Sequence, residues 1–264
     1  MLPIHRVLTP VDFSDTSIGM VPFAQGVAAR YGAELILLHV ESSRELSKLR
    51  QDPLHEFNVR RVLYDGDPAD VIVGFVKSEN IDLVVMPTHG YGLFRRFLIG
   101  SVTAKVLHDV ECPVLTGAHI QKPEPPKVAD LHNVLCSVDL GPESSRVLKW
   151  ASELAADFRL QLGLVHAVPA LSPGQSLALS ADWRAEVANL ASQGLERAAS
   201  AVGVVGAGAY VEVGEPAKTV CSLAGRLRSN VLVIGRGPRD RMGGRLTSHS
   251  YSIVHQSPCP VLSI

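Results

Sequence analysis

Along the chain, apolar runs of about four to eight residues alternate with longer stretches in which apolar positions recur at helical spacing. That alternation marks strands and helices wound into a parallel sheet covered on both faces. In the first half it predicts strands near 4–11, 34–40, 57–64, 82–88 and 113–116, with helices near 15–31, 67–79 and 101–109. Ser14 and Asp15 offer a cap to the first helix, Asp67-Pro68 a cap and a first-turn proline to the next, and Ser101 a cap to the last. In the second half strands are predicted near 131–138, 160–167, 207–213, 230–235 and 260–263, and helices near 142–158, 180–201, 215–229 and 248–257.

The two halves carry the same short programme of residues. VLTPVDFSDTS at 7–17 returns as VLCSVDLGPES at 134–144, GDPADVI at 66–72 as GEPAKTV at 214–220, and CPVLTG at 112–117 as CPVLSI at 259–264. Two copies of one domain follow. The offset is 127 residues between Asp12 and Asp139 but 147 between Cys112 and Cys259, so the second copy holds about 20 extra residues between its second and third strands.

Those extra residues include the run ADWRAEVANLASQGLERAAS, with Trp183, Val187, Leu190, Leu195 and Ala198 at mostly helical spacing. The first copy has only a short connection there, broken by Pro53, so its sheet is expected to be thinly covered on one face. Either a neighbour docks on that apolar strip or a short helix folds across it. Residues 117–130, GAHIQKPEPPKVAD, hold three prolines, mixed charge and little that could enter a core. The domains are therefore placed at 1–118 and 131–264, with a proline-rich linker at 119–130.

Composition narrows the function. A chain of 264 residues suffices for two ordinary domains, and 46% apolar with 19% charged residues is globular. A net charge of −1 gives no electrostatic footprint for nucleic acid or anionic lipid. No stretch approaches the roughly 18 apolar residues of a membrane span, and the N-terminus runs straight into a strand. The expectation is a cytoplasmic protein. Cys112, Cys136, Cys221 and Cys259 are widely spaced singles, which argues against a structural zinc or a disulfide framework and for buried small hydrophobes. His39 and His166 end equivalent apolar strands and read as core histidines.

The chemistry-bearing stretch is MPTHGYGLFRRFLIGSVT, 86–103: a strand ending at Met86, a glycine-bearing loop, then Gly100-Ser101 opening a helix. Glycines let backbone approach phosphate oxygens, and unpaired amides at a helix N-terminus favour anions. By itself a Gly-Ser pair before a helix is also an ordinary cap, Asp12 an ordinary turn residue and His89 an ordinary loop histidine. Neither a Walker loop nor the Gly-x-Gly-x-x-Gly of dinucleotide folds is present.

The spacing resembles the ATP-binding loop of universal stress proteins: Gly, two residues, Gly, nine residues, Gly, then Ser or Thr. Gly90, Gly100 and Ser101 fit it, with Pro87 where the first glycine usually lies. PVD at 10–12, LLHV at 37–40, GDPA at 66–69 and CPV at 112–114 extend the resemblance, and their counterparts carry it into the second half. The chain is similar to a tandem member of that family. The resemblance implies an α/β fold of two doubly wound, open, parallel five-stranded sheets, strand order 3-2-1-4-5, joined as an intramolecular pseudo-dimer through their final strands. It implies ATP, ADP or AMP in the first domain, usually with magnesium. Pro10, Val11 and Asp12 would line ribose and adenine, and the backbone at Val40 would hold the base edge. Met86 and His89 would flank the phosphates, and Gly90, Gly100, Ser101, Val102 and Thr103 would cradle them.

The second half reads differently at VIGRGPRDRMGGRLTSHSYS, 233–252, where nine residues after Gly237 lead to Thr247-Ser248. A β-branched residue replaces the glycine, and this half is expected to be degenerate for ATP. Arginines at 236, 239, 241 and 245 either attract another anion or form a solvated basic loop. The expected function is a stress-response regulator that binds ATP in its first domain, with at most slow ATP hydrolysis, an unidentified protein partner and scope for a homodimer of chains. The alternative is an interaction module of the same fold that needs no nucleotide. A nucleotidyl transferase is disfavoured, since neither His-x-Gly-His nor a Ser-Gly-Gly loop follows the first strand.

Overall fold

The first half starts with a strand that leads into a helix capped as the sequence offers, whereas the first helix of the second half, behind Glu143, has no side-chain cap of its own, and Gly100 rather than the expected Ser101 takes the N-cap before 101–109. Ser14 sits extended and its hydroxyl accepts from Ser17 N, Asp67 accepts from Ala69 N and Asp70 N, and Glu215 does the same for Ala217 N and Lys218 N. In both of the latter helices a proline follows the cap, where its missing N–H costs nothing. Helix one ends at Gly32, whose φ of 64° is the left-handed stop that glycine adopts freely.

The computed structural model describes residues 1–41, 59–89, 99–117, 127–169, 181–237 and 247–264. The first half contains β1 (Arg6–Pro10), α1 (Asp15–Tyr31), β2 (Glu34–Glu41), β3 (Arg60–Asp65), α2 (Pro68–Ser78), β4 (Leu83–Met86), α3 (Ser101–Asp109) and β5 (Val114–Thr116). A 3-10 turn, Val128–Asp130, leads into the second half. There follow β6 (Asn133–Ser137), α4 (Ser144–Phe158), β7 (Gln161–Pro169), α5 (Ala181–Ala201), β8 (Gly208–Gly214), α6 (Pro216–Arg226), β9 (Val231–Ile234), α7 (Ser248–Gln256) and β10 (Val261–Ser263).

The halves do not form separate sheets. The ten strands of the described residues join in one, ordered β3-β2-β1-β4-β5-β10-β9-β6-β7-β8, which is the order 3-2-1-4-5 followed by its mirror. Every pair is parallel except the central one, where β5 and β10 run antiparallel with Val114, Leu115 and Thr116 facing Ser263, Leu262 and Val261. An unpaired apolar edge invites association, so pairing the two last strands removes both liabilities at once. Alternation along the strands then divides the interior into two layers. One contains Val7, Phe23, Leu115, Leu148 and Leu262, the other Leu8, Phe75, Leu107, Leu232 and Val261, and each crosses the boundary between the halves.

The end of the linker departs from expectation. Val128 packs onto α1, so closely that a Cβ at Gly26 would lie 2.7 Å from its Cγ2. The segment thus does contribute to the core, by filling a notch that only glycine leaves open. Among the described side chains of α5 the buried positions are Leu195 and Ala199, whereas Leu190 is 56% exposed and Trp183 lies outside them. The short connection expected to leave the first sheet thinly covered falls at 42–58, outside the described residues. Next to it, Leu63 and Tyr64 on the edge strand β3 are exposed.

Candidate functional site

In this strand order the chain leaves β1 toward β2 on one side and toward β4 on the other, so the carboxyl ends of β1 and β4 flank a crevice. Val11 and Asp12 come from one lip, Pro87, Thr88 and His89 from the other, and Thr16 Oγ1 bridges the two by donating to His89 O at 3.2 Å. The loop after β4 is in turn tied to the start of α3, with Gly100 N donating to Thr88 O at 2.9 Å and Thr103 Oγ1 to Pro87 O at 3.1 Å.

The predicted residues divide by what they can offer a ligand. Asp12 is exposed at the mouth, its Oδ1 accepting the Ser14 amide at 3.0 Å and the Ser14 hydroxyl at 2.5 Å. These bonds are the turn role the sequence suggested, and a carboxylate has acceptor capacity beyond them. Val40 lies two residues beyond Leu38, whose carbonyl accepts from Val11 N at 2.9 Å. In a parallel strand the N–H and C=O of one residue point the same way and reverse at the next, so Val40 turns both toward the β1 side, past the end of β1. That is the open edge of the crevice. Pro10 and Val11 floor it, Val11 being 6% exposed.

Met86 and Thr103 sit lower. Met86 is buried in the layer that holds Leu8, Phe75 and Leu107, and its carbonyl accepts from Gly117 N at 3.1 Å. The Thr103 hydroxyl is committed to Pro87 O, and Ser250 at the matching place in the second half donates to Gly235 O at 2.9 Å. A bond present in both halves is a strut between helix and loop. His89 is half-buried, with Nδ1 2.9 Å from Thr88 Oγ1. His39 and His166, expected in the core, are half-buried instead, each tied to its neighbouring strand end: His39 Nδ1 lies 2.7 Å from Val11 O, with its ring 4.5 Å from that of Phe13, and His166 Nδ1 lies 2.7 Å from Val138 O. Gly90 lies outside the described residues.

Gly100 and Thr247 separate the halves. Gly100 occupies the N-cap of α3, and among the described residues no side chain caps that helix; Ser101, its first residue, is exposed and Val102 half-buried. First-turn amides left without a side-chain acceptor form a ready anion site. Thr247 occupies the N-cap of α7, and there its own hydroxyl accepts from Ser250 N at 3.2 Å. Gly100 also has a packing reason to be glycine, since a Cβ would lie 3.3 Å from His89 Cα and 3.4 Å from Thr88 O. The second half keeps a cavity of about 400 Å³ at the same strand ends, bordered by Asp139, His166, Gly237 and Thr247. These strand ends are thus open in the second half while its helix terminus is self-capped.

The second-half arginines divide as well. Arg236 is neither an anion ligand nor part of a solvated loop: it is fully buried, and its guanidinium donates to the carbonyls of Leu107, Val110, Glu111 and Cys112 in the first half. The other three, at 239, 241 and 245, fall outside the described residues. Cys136, Cys221 and Cys259 are buried and Cys112 half-buried, all as thiols. Burial pushes their pKa values up, to about 11 for Cys112 and Cys259 and about 12 for Cys136 and Cys221, so they behave as apolar filler.

Comparison with known proteins agrees with this layout. The universal stress protein family matches at residues 41–116 and 131–264, more than half of the chain. A universal stress protein of Methanocaldococcus jannaschii is 27% identical over 144 residues, covering 45% of this chain and 83% of its own. Among solved structures, a universal stress protein from Archaeoglobus fulgidus has a TM-score of 0.68 at 23% identity, with 99% of this chain and 98% of that one covered. A putative universal stress protein from Pseudomonas aeruginosa reaches a TM-score of 0.70 at 17% identity, covering 99% and 93%. At these identities the two structures speak for the fold.

Proposed function

The chain belongs to the universal stress protein family, and from that premise we propose that its first half binds one adenine nucleotide, ATP in the first instance, as a regulatory ligand in a stress response. The observation that carries this reading is the N-terminus of α3 at Gly100, which no side chain of the described residues caps, set across a crevice from Asp12 at the point where the strand order reverses. The base lies along the Val40 backbone above Pro10 and Val11, and the Asp12 carboxylate accepts from the ribose hydroxyls. The amides of Ser101 and Val102, with the Ser101 hydroxyl, receive the phosphates, and His89 flanks them. Met86 and Thr103 support this cradle from below. Magnesium accompanies the nucleotide on its phosphate oxygens.

Binding rather than turnover is what these groups perform. The crevice side chains of the described residues offer one carboxylate, one imidazole paired with Thr88 and several neutral donors, a set suited to holding charge in place. Pro87 withholds an N–H that glycine would supply, which lowers affinity without closing the site. Mass spectrometry of small molecules released from purified protein tests the reading. Adenine nucleotide at about one per chain supports it; none released, and none taken up on adding ATP and magnesium, leaves the nucleotide-independent interaction module.

A further inference from the structure

Two side chains of the second half hold the two ends of α3, the helix whose N-terminus faces the phosphates in the reading above. At its carboxyl end Arg236 Nη1 donates to Leu107 O at 3.0 Å and Val110 O at 2.9 Å, while Nη2 donates to Glu111 O at 3.3 Å and Cys112 O at 2.8 Å. A guanidinium with no exposed surface is retained there because four carbonyls, at the negative end of a helix, replace its water. At the amino end the Tyr251 hydroxyl on α7 accepts from Ile99 N at 3.2 Å, one residue before Gly100. The helix between is 9 residues long, about 13 Å at 1.5 Å per residue.

The arrangement runs in one direction. Thr88 stands where Arg236 does, first loop but one residue after the strand, and its hydroxyl is engaged with His89 Nδ1 at 2.9 Å. Ala104 stands where Tyr251 does, fourth after the N-cap, and has no hydroxyl to give. The half with the self-capped helix therefore contributes both clamps, and the half with the open helix receives them.

We propose that Arg236 and Tyr251 are positioning residues for the nucleotide site: the second half fixes the axis and height of α3 and so aims its first amides at the phosphates. This rests on the nucleotide reading but makes a separate claim, that affinity for the phosphates is set across the domain boundary. Donors serve a charged group only when held within about half an ångström of the productive position, and a short helix tied at both ends meets that demand. A second half that had given up its own phosphate seat would then still act in binding.

The test compares ATP with adenosine, which lacks the phosphates, by titration calorimetry on wild type, Tyr251→Phe and Arg236→Lys, alongside hydrogen exchange of α3 amides in the ligand-free proteins. Tyr251→Phe keeps the ring and removes one acceptor; it should weaken ATP about fivefold, the worth of one neutral hydrogen bond, and leave adenosine unchanged. Arg236→Lys keeps the charge but cannot span four carbonyls, and should weaken ATP further with the same indifference to adenosine. Exchange at Ala104–Leu107 should quicken in both variants. ATP affinity equal to wild type, or ATP and adenosine weakened alike, overturns the proposal. If wild type takes up no ATP the nucleotide reading falls by itself, and exchange decides the clamp: faster in the variants upholds it, unchanged sinks it.

Discussion

Leu262 lies directly opposite Leu115 at the centre of the ten-stranded sheet, in the antiparallel pair that joins β10 to β5. The two are 3% and 5% exposed, and both belong to the layer packed beneath α1 and α4. Each such leucine contributes about 2 kcal/mol by burial, and the pairing satisfies backbone groups that would otherwise form an open edge. Deleting residues 259–264 should expose β5 and produce aggregation or intermolecular pairing, visible as a higher mass in light scattering. A truncated chain of unchanged mass and solubility would mean that the halves are held together by other surfaces.

Gly100 and Thr247 should respond in opposite ways to substitution. Gly100→Asp places a carboxylate at the phosphate seat and a Cβ against the 88–89 backbone, so nucleotide affinity should fall by about a hundredfold or more, roughly 3 kcal/mol. The same crowding should lower the melting temperature slightly. Thr247→Ala removes an N-cap instead, at a cost of about 1 kcal/mol in stability with nucleotide affinity unchanged. Calorimetry and thermal melts on the two variants separate these effects.

Gly26 is held to glycine by Val128. Gly26→Ala would gain about 1 kcal/mol of helix propensity, yet its Cβ would overlap the valine side chain and force the 3-10 turn off α1. A net loss of about 1 to 2 kcal/mol is expected in denaturant melts, with Gly26→Ala/Val128→Ala restoring most of it. If the single substitution stabilises the protein, the linker end does not pack as described.

Alkali should destabilise the fold before it touches the surface lysines. Burial raises Cys112, Cys136, Cys221 and Cys259 from an ordinary 9.0 to about 11 or 12, and Tyr31 is pushed up by burial and then by the Asp157 charge. Each acid holds its proton more tightly folded than unfolded, so this contribution is full below about pH 9 and is lost as pH climbs through 9 toward 12. Midpoints of urea unfolding between pH 8 and 11 should decline, and native-state alkylation should consume little thiol at pH 8.

Most of the fold was legible because its local signals agree with its global ones. Prolines after Asp67 and Glu215, Gly32 after α1 and the repeated VD and CPV motifs each mark an element where it occurs. The crevice followed from the strand order that the family resemblance implies and from the position of Gly100. What the sequence hid was contact between distant segments: nothing in GRGPRD says that Arg236 will turn away from its own loop to cap a helix 129 positions earlier, or that Val128 will enter a notch at Gly26. Thr103 can be read two ways, since a hydroxyl at the third helical position suits a phosphate and a carbonyl equally well, and Pro87 O accepts it here.

The central claim is one nucleotide per chain, seated in the first half. Titration calorimetry of the intact protein with ATP and magnesium should give a stoichiometry near one, abolished by Gly100→Asp and retained in Thr247→Ala. A stoichiometry near two, with half of it surviving Gly100→Asp, would show that the second half binds as well as the first and would contradict the account.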